Sequence, residues 1–93
     1  MTVYISGPMT GLPNYNGWAF CDAETWLRES GHVVVNPWRL GEVLGWGHFD
    51  YMRRDVAALA GCGGIYMLPG WWRSRGARKE WLVSKLLGIR RMR

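Results

Sequence analysis

The sequence predicts an α/β fold: a three-layer, Rossmann-like sandwich in which helices cover a short parallel sheet of three or four strands. Two observations predict it. Short apolar runs, TVYIS at 2–6, HVVVN at 32–36 and GGIYMLP at 63–69, alternate with segments of helical periodicity. These runs are continuously apolar rather than alternating, as strands buried on both faces must be. The length of 93 residues limits the chain to one domain, 1–93, with a small core.

Each element follows from its own residues. TVYIS is a short buried strand, and GPMTGLPNYNG after it packs glycines and prolines into a shaped loop. Residues 18–29 place Trp18, Phe20, Cys21, Trp26 and Leu27 at helical spacing, with Asn16 as the expected cap and Gly31 as the stop. The second strand, 32–36, is ended by Pro37. Residues 38–47 read as a loop with one helical turn. Phe49, Met52, Val56 and Leu59 recur at spacings of three and four and predict a helix over 49–60. A third strand over 63–69 and a third helix over 75–87 follow. GIRRM, 88–92, is either a short last strand or a frayed end. Strand one is expected in the centre of the sheet, with right-handed crossovers.

In such sheets ligands sit outside the carboxyl ends of the strands. The segments 7–15, 37–47 and 70–76 should converge there. Composition narrows what they meet. Hydrophobic residues make up 48% of the chain, too many for a disordered one. Twelve Lys and Arg against seven Asp and Glu leave a net charge of +5, which attracts anions. Basic charge of this kind, including RRMR at 90–93, admits nucleic acid without favouring it. Seven tryptophans exceed what one small core encloses, so some should lie in a pocket or a subunit interface. A homodimer through the helices at 18–29 and 49–60, with Trp46 at its edge, is expected. Cys21 and Cys62 have no metal or redox spacing and read as small buried hydrophobes. His32 and His48 fit no zinc pattern and read as structural. No secretory leader and no membrane-length apolar run is visible, so a cytoplasmic location without a membrane partner is expected. No metal and no cofactor is expected. GPMTG is neither a dinucleotide fingerprint nor a P-loop.

The stretch PGWWRSRGARKEW, 69–81, sets one acid, Glu80, among Arg73, Arg75, Arg78 and Lys79. Ser74 and Gly76 should mark the start of the third helix, where backbone N–H groups receive an anion. Arg75 and Arg54 could add charge-assisted bonds to it. Trp71 or Trp72 is expected to face the cleft and stack on a flat ligand. The arginines around Glu80 predict a depressed pKa. Asp55, beside Arg53 and Arg54, is a second candidate carboxylate, with Asp50 and Glu42 as weaker rivals. Tyr4 lies where its hydroxyl could reach Glu80. Each of these also has an ordinary structural reading: a solvated helix glutamate, a surface ion pair, a core tyrosine.

VYISGPMTG at the start, the DV-A-L helix at 55–59, IYMLPGW and SRGARKE at 74–80 resemble the nucleoside 2-deoxyribosyltransferase-like superfamily. The similarity is closest to its short bacterial and phage members, and extends to deoxynucleoside 5′-monophosphate N-glycosidases. It covers nearly the whole chain. It implies a compact doubly wound fold, oligomers, and cleavage of an N-glycosidic bond through a glutamate that attacks C1′. The nucleophile then falls on Glu80, the serine holding the 5′ group on Ser74, the aspartate contacting sugar or base on Asp55, and the tyrosine orienting the nucleophile on Tyr4. Ser6, Gly7, Met9, Thr10 and Gly11 match the segment wrapping the sugar. The basic, aromatic WWRSR stands where the transferases carry acids, which favours hydrolysis over transfer between bases. A nucleotide-binding or sequestering protein without turnover is the alternative for the same pocket.

Overall fold

A computed structural model describes residues 1–92. The strands are β1 (Thr2–Ser6), β2 (Val33–Val35), β3 (Gly64–Met67) and β4 (Arg90–Met92). The helices are α1 (Gly17–Glu29), α2 (His48–Ala60) and α3 (Arg75–Leu86). All strand pairs are parallel and the order is β2-β1-β3-β4. The α/β sandwich expected from the sequence is therefore the fold. GIRRM supplies a fourth strand, and β1 is one of the two interior strands.

Side-chain alternation along β1 builds the two cores. Val3 and Ile5 pack under α1 with Phe20, Ala23, Leu27, Val34 and Leu68. Tyr4 faces the opposite layer, where Leu59 of α2 and Ala77 of α3 pack with Cys62, Ile65 and Met67. The same alternation puts Ser6 on the side of Tyr4. Cys62 is buried as expected, but Cys21 is only half-buried. No helix among the described residues is long and apolar enough to cross a membrane.

Two details shape the cleft end. The Leu68 amide donates to the Ser6 carbonyl at 2.8 Å, carrying the β1–β3 contact past the strands. At Gly7 an added Cβ would lie 2.6 Å from Leu68 Cβ, so this glycine permits close approach of two chain segments. Gly7→Ala is expected to destabilise the fold by about 1–3 kcal/mol through overpacking, measured by urea denaturation.

The loop between β1 and α1 departs from the simple cap expected of Asn16. Asn14, Tyr15 and Asn16 all take left-handed φ values of 49, 51 and 64°, which cost roughly 1–2 kcal/mol per residue outside glycine. Asn16 does occupy the N-cap position but makes no side-chain cap bond to α1. Its amide instead donates to the Pro8 carbonyl at 3.0 Å, and the Trp38 indole N–H donates to the Asn14 carbonyl at 2.9 Å. The strained segment is thus held from both sides. Trp38 in turn rests on Gly17, where a Cβ would sit 2.8 Å from the indole ring.

Candidate functional site

Parallel order β2-β1-β3-β4 reverses direction of growth at β1 and β3, and a crevice opens at their carboxyl ends. The cleft there measures about 620 Å³, within the ordinary range for small-molecule sites. Its walls come from the three loops that the sequence brought together.

Glu80 forms the floor. It lies one turn into α3, is 6% exposed, and lines the cleft. The Tyr4 hydroxyl donates to Glu80 Oε2 at 2.6 Å and the Ser6 hydroxyl donates to Oε1 at 2.6 Å. Both donors are fully buried. The period-2 geometry of β1 explains this pair: residues 4 and 6 share the face that α3 crosses. The solvated-surface reading of Glu80 is excluded by this burial.

The depressed pKa expected of Glu80 is not what the site produces. Burial pushes it up to about 7, against the lowering effect of the Ser6 and Tyr4 hydrogen bonds and with a further upward push from the Asp55 charge. Arg73, Arg75, Arg78 and Lys79 are all exposed. Desolvation wins because the neighbouring cations of the sequence point into water. The Tyr4 phenol is raised well above its usual value, first by burial and then by Glu80, so it remains a proton donor.

Asp55 lines the cleft with its side chain 16% exposed, and burial raises its pKa against the opposing effect of Arg54. Arg54 Nε approaches Asp55 Oδ1 at 3.3 Å. Arg54 Nη1 donates to the Gly41 carbonyl at 2.8 Å, and the guanidinium lies over the Trp46 and Tyr51 rings. The Tyr51 hydroxyl accepts from the Val43 amide at 2.9 Å. Arg54 borders the cleft, with Nε turned to Asp55 and Nη1 fastening the 40–41 backbone to α2. Asp50 is a helix cap, accepting from the Gly47 amide at 2.9 Å. Glu42 lies on the cleft wall, where its carboxylate raises the pKa of the Tyr15 phenol.

Ser74 caps α3, its hydroxyl oxygen accepting from the Ala77 amide at 3.2 Å. The hydroxyl proton stays available, and the N–H groups of Arg75 and Gly76 have no partner inside the helix. Ser74 and Gly76 line the cleft, and a Cβ at Gly76 would meet nothing closer than Met52 Sδ at 3.8 Å. Gly7, Met9 and Thr10 also line it. Ser6 acts from beneath, through Glu80. Gly11 and the Arg75 side chain lie outside the lining.

Trp71 and Trp72 are likewise absent from the cleft walls. Trp71 stacks on Trp81 with ring centroids 5.6 Å apart, and Trp72 is exposed at the edge of Trp71. They occupy a 3-10 turn, Trp71–Arg73, in which successive side chains diverge by about 120°. Trp81 offers Trp71 a stacking partner away from the cleft. The aromatic walls are instead Tyr15, Trp38 and Tyr51, which the sequence reading did not single out. His48, at the start of α2, completes the rim, with its Nε2 3.4 Å from Lys79 Nζ. The usable signal for Tyr15 and Trp38 was their place in the two loops that had to converge.

Residues 1–92 match the family described as Domain of unknown function (DUF4406). The chain belongs to this family. Among curated proteins, none matches it. The chemistry open to this DUF4406 domain is set by the geometry of the cleft around Glu80. Among its described residues no group of three or more His, Cys, Asp or Glu is arranged to hold a metal ion.

Proposed function

We propose that the cleft binds a nucleoside or its 5′-monophosphate and cleaves the N-glycosidic bond, with Glu80 as nucleophile and water as the final acceptor. One observation carries the reading: a buried carboxylate at the cleft floor has each oxygen pinned at 2.6 Å by a buried hydroxyl. That is how a nucleophile is aimed. The sequence resemblance to the nucleoside 2-deoxyribosyltransferase-like superfamily supports it.

In the proposed reaction a Glu80 oxygen bonds to C1′ as the C1′–N bond breaks and its electron pair leaves with the base. Asp55, also lining the cleft, orients the base, which takes its proton from water as it departs. Water then attacks C1′, the Asp55 carboxylate accepts its proton, and Glu80 is released as carboxylate. Tyr15, Trp38 and Tyr51 supply flat walls for the base. Ser74 and the first N–H groups of α3 receive the 5′ group.

Nucleophilic attack needs ionised Glu80. Activity in kcat/KM should therefore rise with pH through about 7. Tyr4→Phe removes a donor that favours the carboxylate, so this limb is expected to move to higher pH. Activity at pH 7 should fall by about 10- to 100-fold, the value of one hydrogen bond to a charged group. A pH–rate profile of the two proteins checks it.

A second reading has its own observation. With a pKa of about 7, much of Glu80 is a neutral acid at neutral pH, and a neutral acid binds a nucleotide without attacking it. Incubation with a panel of nucleosides, deoxynucleosides and their monophosphates, with chromatography for free base, separates the two. Saturable binding without base release selects the binding protein. Equal calorimetric affinity for a monophosphate and its nucleoside removes the 5′-phosphate site.

The proposed assembly is a homodimer through α1 and α2, because Trp18, Trp26 and Phe49 are 82%, 48% and 78% exposed. Trp46, expected at the edge of this interface, is partly spent on Tyr51 and Arg54. Light scattering is expected to give twice the chain mass at micromolar concentration, and a monomer mass would defeat the proposal.

A further inference from the structure

Away from the cleft, tryptophans and cations are interleaved on one continuous surface. Trp71 and Trp81 stack at 5.6 Å and 28°. The Arg91 guanidinium lies 5.6 Å from the Trp71 ring centroid, and the Lys85 ammonium lies 5.1 Å from that of Trp81. Trp72 meets Trp71 edge-on at 6.4 Å and is 57% exposed. Arg73 follows in the same turn and is exposed. Three elements contribute: the turn after β3, α3 and β4.

Charge sets this surface apart. Eight of the twelve Lys and Arg fall in residues 56–93, against one of the seven acids. That acid is Glu80, buried under the cleft. Among the described residues the ion pairs all involve Arg28, Arg39, Arg53 or Arg54, so Arg73, Lys85 and Arg91 have no carboxylate partner. Unneutralised cations beside exposed indole call for a polyanion that also carries flat apolar faces. A single-stranded nucleic acid has both at the spacing of one nucleotide, and its bases are free to stack. A duplex keeps its bases stacked on one another, and a lipid headgroup offers charge without an aromatic face.

We propose that this surface binds single-stranded nucleic acid, with a base stacked on Trp72 and the backbone phosphates on Arg73, Lys85 and Arg91. Lys85 and Arg91 lie on the indoles of Trp81 and Trp71, so two of the three phosphate ligands are already held in place. The proposal is independent of Glu80 and of the reading given to the cleft.

Fluorescence anisotropy with a labelled oligothymidylate of roughly a dozen nucleotides tests it, since single-strand sites span about 4–16 nucleotides. Saturable binding that weakens with salt is expected. Trp72→Ala should weaken it by about 5- to 100-fold, the worth of one stacked base, and Trp72→Phe should restore most of it. Lys85→Ala and Arg91→Ala should each reduce the log–log salt slope by about 0.7. An abasic strand of equal charge should lose sensitivity to Trp72→Ala. Glu80→Gln should bind the oligonucleotide as the parent does. Three results would overturn the proposal. One is absence of binding. Another is equal affinity for duplex, abasic strand and oligothymidylate with no effect of Trp72. The last is light scattering in which Trp72→Ala lowers the mass without changing oligonucleotide affinity, which assigns the surface to a second copy of the chain.

Discussion

Glu80→Gln is expected to abolish base release, by roughly 10³-fold or more, while leaving nucleotide bound. The substitution keeps the length and shape of the side chain and removes the charge that attacks C1′. Its fold should survive, because Tyr4 and Ser6 present hydroxyls, which accept as well as donate. One of them can turn to accept from the new amide. Glu80→Asp makes the complementary test. It keeps the charge but withdraws the carboxylate by one methylene, so the attack distance and the two 2.6 Å bonds are lost together. Its activity should also collapse. Isothermal calorimetry measures retained binding, and chromatography measures base release. Undiminished release from Glu80→Gln would remove Glu80 as nucleophile. Loss of binding in Glu80→Gln, with no release even from the parent, would assign Glu80 to recognition alone.

What the sequence made legible follows from periodicity. Continuous apolar runs bounded by Gly and Pro located β1, β2 and β3, and their alternation with helices dictated a parallel sheet and hence where the cleft opens. The nearness of Tyr4 to Glu80 was readable because both lie at the β1–α3 contact. Three features were not readable, each for a physical reason. The direction of a side chain inside a turn depends on the turn: the 3-10 geometry at Trp71–Arg73 sends both tryptophans away from the cleft. The pKa of Glu80 depends on where its cationic sequence neighbours point. Only the helix geometry, which exposes Arg78 and Lys79 and buries residue 80, decides that desolvation exceeds their attraction. The left-handed run Asn14–Asn16 was equally hidden. Asparagine tolerates this conformation better than most residues, but the run is fixed by two contacts: Trp38, 24 residues beyond Asn14, and the Asn16 amide on the Pro8 carbonyl.

The raised pKa of Glu80 should also appear in the stability of the whole chain. Folded Glu80 holds its proton until about pH 7, whereas an unfolded glutamate loses it near 4.5. Between those values the folded state binds more protons, so stability falls as pH rises through that window and is level on either side of it. The shift corresponds to at most about 3 kcal/mol. Asp55, also raised, acts in the same direction. Glu24 acts oppositely. Burial pushes its pKa up, but hydrogen bonds from Arg39, Asn36 and Arg28 outweigh this and hold it at about 2. Its contribution is present above pH 4.5 and is lost as pH falls towards 2. Arg28 and Arg39 are 53% and 56% exposed, so solvent screening reduces this second effect. Stability is therefore expected to peak at about pH 4–5 and to decline towards neutrality. With urea slopes of about 1–3 kcal/mol per molar, the denaturation midpoint should drop by about 1 M or more between pH 5 and pH 7.5. Glu80→Gln cannot ionise, so its midpoint should fall much less over the same interval and lie above that of the parent at pH 7.5. A midpoint that rises from pH 5 to 7.5 in the parent would mean that the Tyr4 and Ser6 hydrogen bonds outweigh burial, and that Glu80 stands ready as a carboxylate throughout.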